Sequence, residues 1–276
     1  MVILGKALSV AMNARTVGSG AGETVVLAHG LGTDQSLWDK ILPDLAQRHR
    51  VVLFDWSFSG AVKDPSLFDP AKYSSYDAFA DDLISLMEEM NLHRSSSVFV
   101  GHSMSAMIGC IASIKRPELF KRLILIGASP RYINSEDYEG GFDRTEVDKL
   151  LSSIETNFHE WASGFAPLAV NSPDDPLLVA KFRDCLQRMS PEAALAVARV
   201  VFRSDHREML EKVVIPCTII QTPDDVAVPD SVAGYLQNKI KAESTVEIVE
   251  TPGHFPMLTA PLRLLEVLAG ALASDL

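Results

Sequence analysis

Val98-Phe99-Val100-Gly101-His102-Ser103-Met104-Ser105-Ala106 is the stretch on which the reading of this chain turns. An apolar β-branched run ends in a glycine, a serine follows two residues later, and small residues then open a helical stretch from Ala106 to Ser113. Strand, sharp turn and helix in that order form a nucleophile elbow, G-x-S-x-G, which exposes a serine hydroxyl beside a helix N-terminus. The last glycine of the pattern is here Ser105. A serine is small enough for the turn, but the pentapeptide alone also fits a tight strand–helix turn closed by a capping serine.

The surroundings of the elbow decide between the two. Short apolar runs recur at Val25–Ala28, Val51–Phe54, Val98–Val100, Leu123–Ile126, Thr218–Ile220 and Val246–Val249. They are continuous rather than alternating, as expected of strands buried on both faces. Helical periodicity lies between them; Asp77 to Met90 places Phe79, Leu83, Leu86, Met87 and Met90 on one face. Alternating β and α elements predict a mostly parallel sheet flanked by helices. The alternation stops between Pro130 and Asp205, where helical pieces at about Thr145–Thr156, Phe158–Ala169, Leu177–Met189 and Pro191–Phe202 are predicted. The expected organisation is therefore a core of residues 1–129 and 206–276 with a helical insertion of residues 130–205.

A nucleophilic serine needs a base, an acid to orient the base, and donors for the oxyanion. His29-Gly30-Leu31-Gly32 follows the run at Val25, where backbone N–H groups of Leu31 and Met104 are placed to serve as an oxyanion hole. Asp224 and Asp225 follow the run at Thr218, and His254 follows the run at Val246. All stand at C-terminal strand edges, where parallel sheets build their sites. The chain order serine, aspartate, histidine is the order of an α/β-hydrolase triad.

Composition excludes several other classes. The chain has 276 residues, 47% hydrophobic and 22% charged, which is globular rather than disordered or coiled-coil composition. A net charge of -11, without a Lys/Arg cluster, argues against nucleic acid. The three cysteines, Cys110, Cys185 and Cys217, are widely spaced and show no metal-ligand pattern, so reduced thiols and no metal are expected. No apolar run reaches the ~18 residues of a membrane span. The apolar N-terminus lacks a basic leader region and is interrupted by Lys6, so no signal peptide is expected. The expected location is the cytoplasm and nucleus, with no membrane partner.

Beyond these features the sequence resembles the strigolactone and karrikin receptors of plants, the Dwarf-fourteen-type α/β-hydrolases, over nearly its whole length. The resemblance rests on His29-Gly30-Leu31-Gly32-Thr33-Asp34-Gln35-Ser36, on Gly101-His102-Ser103-Met104-Ser105-Ala106-Met107-Ile108-Gly109, on Ser129-Pro130-Arg131-Tyr132-Ile133-Asn134 and on Gly164-Phe165-Ala166-Pro167-Leu168-Ala169-Val170. Phe54-Asp55-Trp56-Ser57-Phe58-Ser59-Gly60-Ala61 and Asn134-Ser135-Glu136-Asp137-Tyr138 look most like the second Dwarf-fourteen-like paralogue branch. The G-H-S-x-S variant is typical of the family, which accounts for Ser105. Haloalkane dehalogenases and epoxide hydrolases share the fold but carry an aspartate where this chain has Ser103.

The resemblance implies an α/β-hydrolase fold with a V-shaped lid of four helices, no cofactor, and a triad of Ser103, Asp225 and His254, choosing Asp225 over Asp224. It implies an apolar pocket walled by Leu31, Tyr132, Phe142, Trp161, Phe165 and Phe202. The family usually has Phe at the position of Leu31, so a reshaped pocket mouth is expected. The implied function is a serine hydrolase-receptor that slowly cleaves a small apolar butenolide ligand and docks an F-box protein and its target. A general carboxylesterase and a binding module with vestigial hydrolysis are the alternatives.

Overall fold

A computed structural model of the chain describes residues 7–20, 22–92 and 97–273. Part of the N-terminal stretch read above, Met1 to Lys6, lies outside them. Strands β1 (Arg15–Val17), β2 (Thr24–Ala28), β3 (Arg50–Leu53), β4 (Ser97–His102), β5 (Phe120–Ile126), β6 (Cys217–Gln221) and β7 (Ser244–Ile248) form one seven-stranded sheet in the order β1-β3-β2-β4-β5-β6-β7. All neighbouring pairs are parallel except β1 with β3. The helices are α1 (Leu8–Ala11), α2 (Leu42–Arg48), α3 (Tyr76–Glu89), α4 (Met104–Lys115), α5 (Arg144–Val170), α6 (Pro176–Gln187), α7 (Pro191–Arg203), α8 (Ser231–Lys239), α9 (Pro256–Thr259) and α10 (Pro261–Ala273).

β4 is central and buried at every position. The order reverses on either side of β2 and β4, so the loops leaving β2, β4, β6 and β7 emerge along one edge. This is where an open parallel sheet forms its crevice. Two expectations need correcting. β1 carries the polar sequence Arg-Thr-Val and is mostly exposed, so no apolar run announces it. β7 is the opposite edge strand; Ile248 is 42% exposed, and burial on both faces does not hold there.

Between β5 and β6 the chain leaves the sheet and returns beside its point of departure. Arg131 bridges Asp205 through the backbone, its guanidinium lies 2.7 Å from the Asp205 carboxylate, and His206 N–H donates to the Pro130 carbonyl at 2.7 Å. The insertion is helical because each helix carries its own start signal. Asp175 and Ser190 cap α6 and α7, each followed by proline at the first helical position. α5 breaks at Asn157, whose φ of -152° and ψ of 84° are not helical. The Asn157 side-chain oxygen accepts from Glu160 N–H at 3.2 Å, so this residue starts the second half of the helix as its cap.

Candidate active site

Ser103 stands between β4 and α4 with φ 57° and ψ -125°, a backbone region that side-chain-bearing residues rarely occupy. The strain is held by close packing around the turn. A Cβ on Gly101 would lie 2.7 Å from the Ser105 carbonyl, and a Cβ on Gly30 would lie 2.9 Å from the Ser103 Cβ. Strained backbone of this kind is retained where the surroundings over-determine it. Met104 is the first residue of α4, and its N–H has no acceptor one turn back within the helix.

Ser105 has a structural role that the usual glycine could not fill. Its hydroxyl donates to the His29 carbonyl at 2.5 Å and accepts from the Trp56 indole N–H at 2.9 Å. The same indole N–H lies 3.0 Å from the His29 carbonyl. His29 Nε2 accepts from the Trp56 backbone N–H at 3.1 Å, while Nδ1 faces the Gly30 carbonyl at 2.9 Å. That pattern sets a neutral ring with its proton on Nδ1. Burial pushes the His29 pKa below its ordinary value against the pull of Asp55. The Gly30–Leu31 loop is thus fastened to the elbow through buried polar groups. Ser105→Ala removes two of these bonds and is expected to cost about 1 kcal/mol, read as a lower urea midpoint. A midpoint equal to wild type would show that the network contributes nothing.

Asp225 and His254 meet from separate loops. His254 Nδ1 donates to Asp225 Oδ2 at 2.6 Å, and Asp225 Oδ1 accepts from the Ala227 N–H at 2.8 Å. Both residues are buried. Asp224 faces elsewhere; its φ is 50° and its carbonyl accepts from the Asn171 side chain at 3.3 Å. Gly253 N–H donates to the Pro223 carbonyl and Thr222 Oγ1 to the Gly253 carbonyl, tying the two loops together.

Ser103 and His254 open onto one small cavity of about 30 Å³. Leu31, Tyr132, Trp161, Phe165 and Phe202 line it. Phe142, expected in this wall, does not; its ring packs edge-on against Phe202 at 5.6 Å instead. Phe182, Leu186 and Phe255 line the cavity although sequence reasoning did not select them. Phe182 and Leu186 are four residues apart on α6 and so share a face, and Phe182 meets Phe255 at 4.4 Å between ring centroids. The Tyr132 hydroxyl is in hydrogen-bonding reach of Ser103, and burial raises its pKa, so it remains protonated.

The helix that carries Phe182 and Leu186 is anchored to the loop after His29. Arg188 lies 2.6 Å from Asp34 Oδ2, the Cys185 thiol donates to the same oxygen at 3.3 Å, and Lys181 donates to the Ser36 carbonyl at 2.9 Å. Burial pushes the Asp34 carboxyl upward, but hydrogen bonds from Ser36, Cys185 and Arg188 outweigh it and hold the pKa at about 2. An aspartate with its folded pKa depressed from 3.8 to about 2 stabilises the fold above the unfolded value. That contribution, about 2 kcal/mol, disappears as pH falls through 3.8 toward 2. Asp34→Asn is therefore expected to be less stable than wild type by about 2 kcal/mol at pH 6. Urea melts should show the gap closing near pH 2. A gap unchanged with pH would contradict this assignment.

Comparison with known proteins gives the same architecture. The sequence model described as the Alpha/beta hydrolase family matches residues 25–267. The chain is 48% identical to Strigolactone esterase D14 of Arabidopsis thaliana, covering 95% of this chain and 96% of that protein. It is 42% identical to Karrikin insensitive 2 receptor IA of Petunia hybrida, covering 95% and 94%. A hydrolase from Oleispira antarctica superposes with a TM-score of 0.91 at 28% identity, covering 97% of each chain.

Proposed function

The chain belongs to the alpha/beta hydrolase family, and from that premise we propose that it is a serine hydrolase-receptor for a small apolar butenolide of strigolactone or karrikin type. The observation that carries the reading is the buried His254–Asp225 pair at 2.6 Å opening, with the strained Ser103, into an aromatic-lined cavity. The relatives named for strigolactone and karrikin supply the ligand class.

In the proposed reaction Ser103 Oγ adds to the carbonyl of the butenolide ring and its proton passes to His254 Nε2. Asp225 accepts from His254 Nδ1, which keeps Nε2 free to take that proton and stabilises the imidazolium. The oxyanion is met by the N–H groups of Leu31 and Met104. The acyl C–O bond of the ring breaks and His254 returns the proton to the ring oxygen. The hemiacetal so exposed in a ligand of enol-ether type collapses to an aldehyde and expels the enol as the second fragment. Water, deprotonated by His254, then hydrolyses the ring-opened acyl ester from Ser103.

The cavity also bears on rate. About 30 Å³ is the space of roughly one water, while pockets for drug-sized ligands measure ~300 Å³ or more. A butenolide hormone is admitted only if α5–α7 act as a lid and α6 withdraws Phe182 and Leu186. Such a conformational step makes turnover slow and couples ligand to the outer surface of the helices, the surface we propose for an F-box partner.

Thermal shift separates this reading from a general esterase. A synthetic strigolactone analogue is expected to move the melting temperature of both wild type and Ser103→Ala. No shift in either, together with rapid turnover of aryl acetates, would favour a carboxylesterase without receptor role.

A further inference from the structure

The residue before the nucleophile has no part in the reaction just described. His102 ends β4, is 1% exposed, and lies beside the base, with ring centroids 4.7 Å apart. Its Nε2 is 2.8 Å from the main-chain oxygen of His254, 152 residues away in the chain. A carbonyl only accepts, so Nε2 carries the ring proton and the lone pair sits on Nδ1. Nδ1 is buried and has no hydrogen-bond partner among the described residues. Burial, together with the neighbouring His254, holds the His102 pKa well below its ordinary value, so this ring stays neutral.

The peptide of His254 is held from two sides. Its N–H donates to the carbonyl of Ala169, near the end of α5, at 2.8 Å. Its C=O accepts from His102, which is covalently joined to Ser103. The first contact belongs to a helix that must move if a ligand is admitted. The second belongs to the buried central strand.

We propose that His102 is a positioning residue: its Nε2–H ties the backbone of the base to the strand that presents the nucleophile, so that Ser103 and His254 keep their register while the insertion moves. The proposal rests on the reading of Ser103, Asp225 and His254 as a triad. A displacement of the base by ~1 Å costs about 10- to 100-fold in rate.

The test uses the full chain and 4-nitrophenyl acetate, whose single ester bond reports acyl transfer to Ser103 by a coloured product. Asparagine places its amide nitrogen near the position of Nδ1, short of the carbonyl; glutamine reaches the position of Nε2. His102→Asn is expected to lose about 10- to 100-fold in kcat with KM within about twofold, and His102→Gln is expected to recover most of that loss. Wild-type kcat in His102→Asn overturns the proposal, as does equal slowing of both variants. Should His102→Asn fail to fold, His102→Gln decides alone: kcat within about threefold of wild type supports the proposal, and a folded Gln variant slowed by about 10-fold or more overturns it. Ser103→Ala is run alongside. If it retains hydrolysis, the triad reading fails and the proposal with it. If it is inactive while His102→Asn is unaffected, only the role of His102 falls.

Discussion

Ser103→Ala is expected to lower kcat on a small aryl ester by about 10⁴- to 10⁶-fold while the protein stays folded. The change deletes one oxygen. The remaining side chain is no larger, and the backbone at φ 57° is held by its neighbours rather than by the hydroxyl. The Tyr132 hydroxyl loses a partner, but it lines the cavity, where water can replace that contact. What disappears is the oxygen that the proposed mechanism needs to form an ester with the substrate. The measurement is turnover under saturating 4-nitrophenyl acetate, with circular dichroism as the folding control. A loss of less than about 100-fold would remove Ser103 from the role of nucleophile.

Asp225→Asn carries the second large effect, about 10⁴-fold in kcat with KM little changed. The reason lies in the two bonds of the carboxylate. Oδ1 accepts from Ala227 N–H at 2.8 Å and Oδ2 accepts from His254 Nδ1 at 2.6 Å. An amide has one accepting and one donating end. With its oxygen on Ala227, its NH₂ faces His254 and is satisfied only if Nδ1 gives up its proton. The imidazole then carries the proton on Nε2 and has no lone pair for Ser103. In the other orientation NH₂ faces the Ala227 N–H, donor against donor in a buried site. Asp224→Asn is the matching control. Asp224 has φ 50°, which asparagine tolerates, and its main-chain carbonyl accepts from the Asn171 side chain, a bond that the substitution leaves in place. Its kcat should stay within about twofold of wild type, since no catalytic proton passes through it. Equal losses in the two variants would contradict the assignment of the acid.

Much of this was readable in the sequence because a parallel sheet converts local pattern into position. β2, β4 and β6 contain apolar runs and β7 carries Val246 and Ile248, and His29, Ser103, Asp225 and His254 each follow one of these strands, so they gather at one edge without any long-range contact being known. The break at Asn157 and the starts at Asp175 and Ser190 are likewise local chemistry, since capping depends on neighbours in the chain.

The rest depends on contacts between distant segments. β1 forms by pairing with β3, and its three residues carry no pattern of their own. The exposure of Ile248 follows from β7 having a neighbour on one side only. Phe142 lies on the aromatic cluster but contacts Phe202 rather than the cavity, a difference that composition cannot express. Phe182 and Leu186 do share a helix face, yet it is the anchoring of α6 at Asp34 and Ser36 and the packing of Phe182 on Phe165 and Phe255 that set that face on the cavity. The reach of His102 to His254 is invisible for the same reason. Ser105 reads as a departure from a motif until Trp56 and His29 are placed beside it.

Cleavage of a butenolide by Ser103 within this cavity is what the proposed function requires. Its most direct test is to incubate wild type and Ser103→Ala with a synthetic strigolactone analogue and follow release of the butenolide ring by liquid chromatography. Slow release by wild type, and none above the buffer rate with Ser103→Ala, is the predicted result. Equal release by the two proteins, or none by a wild type that turns over aryl acetates rapidly, would contradict it.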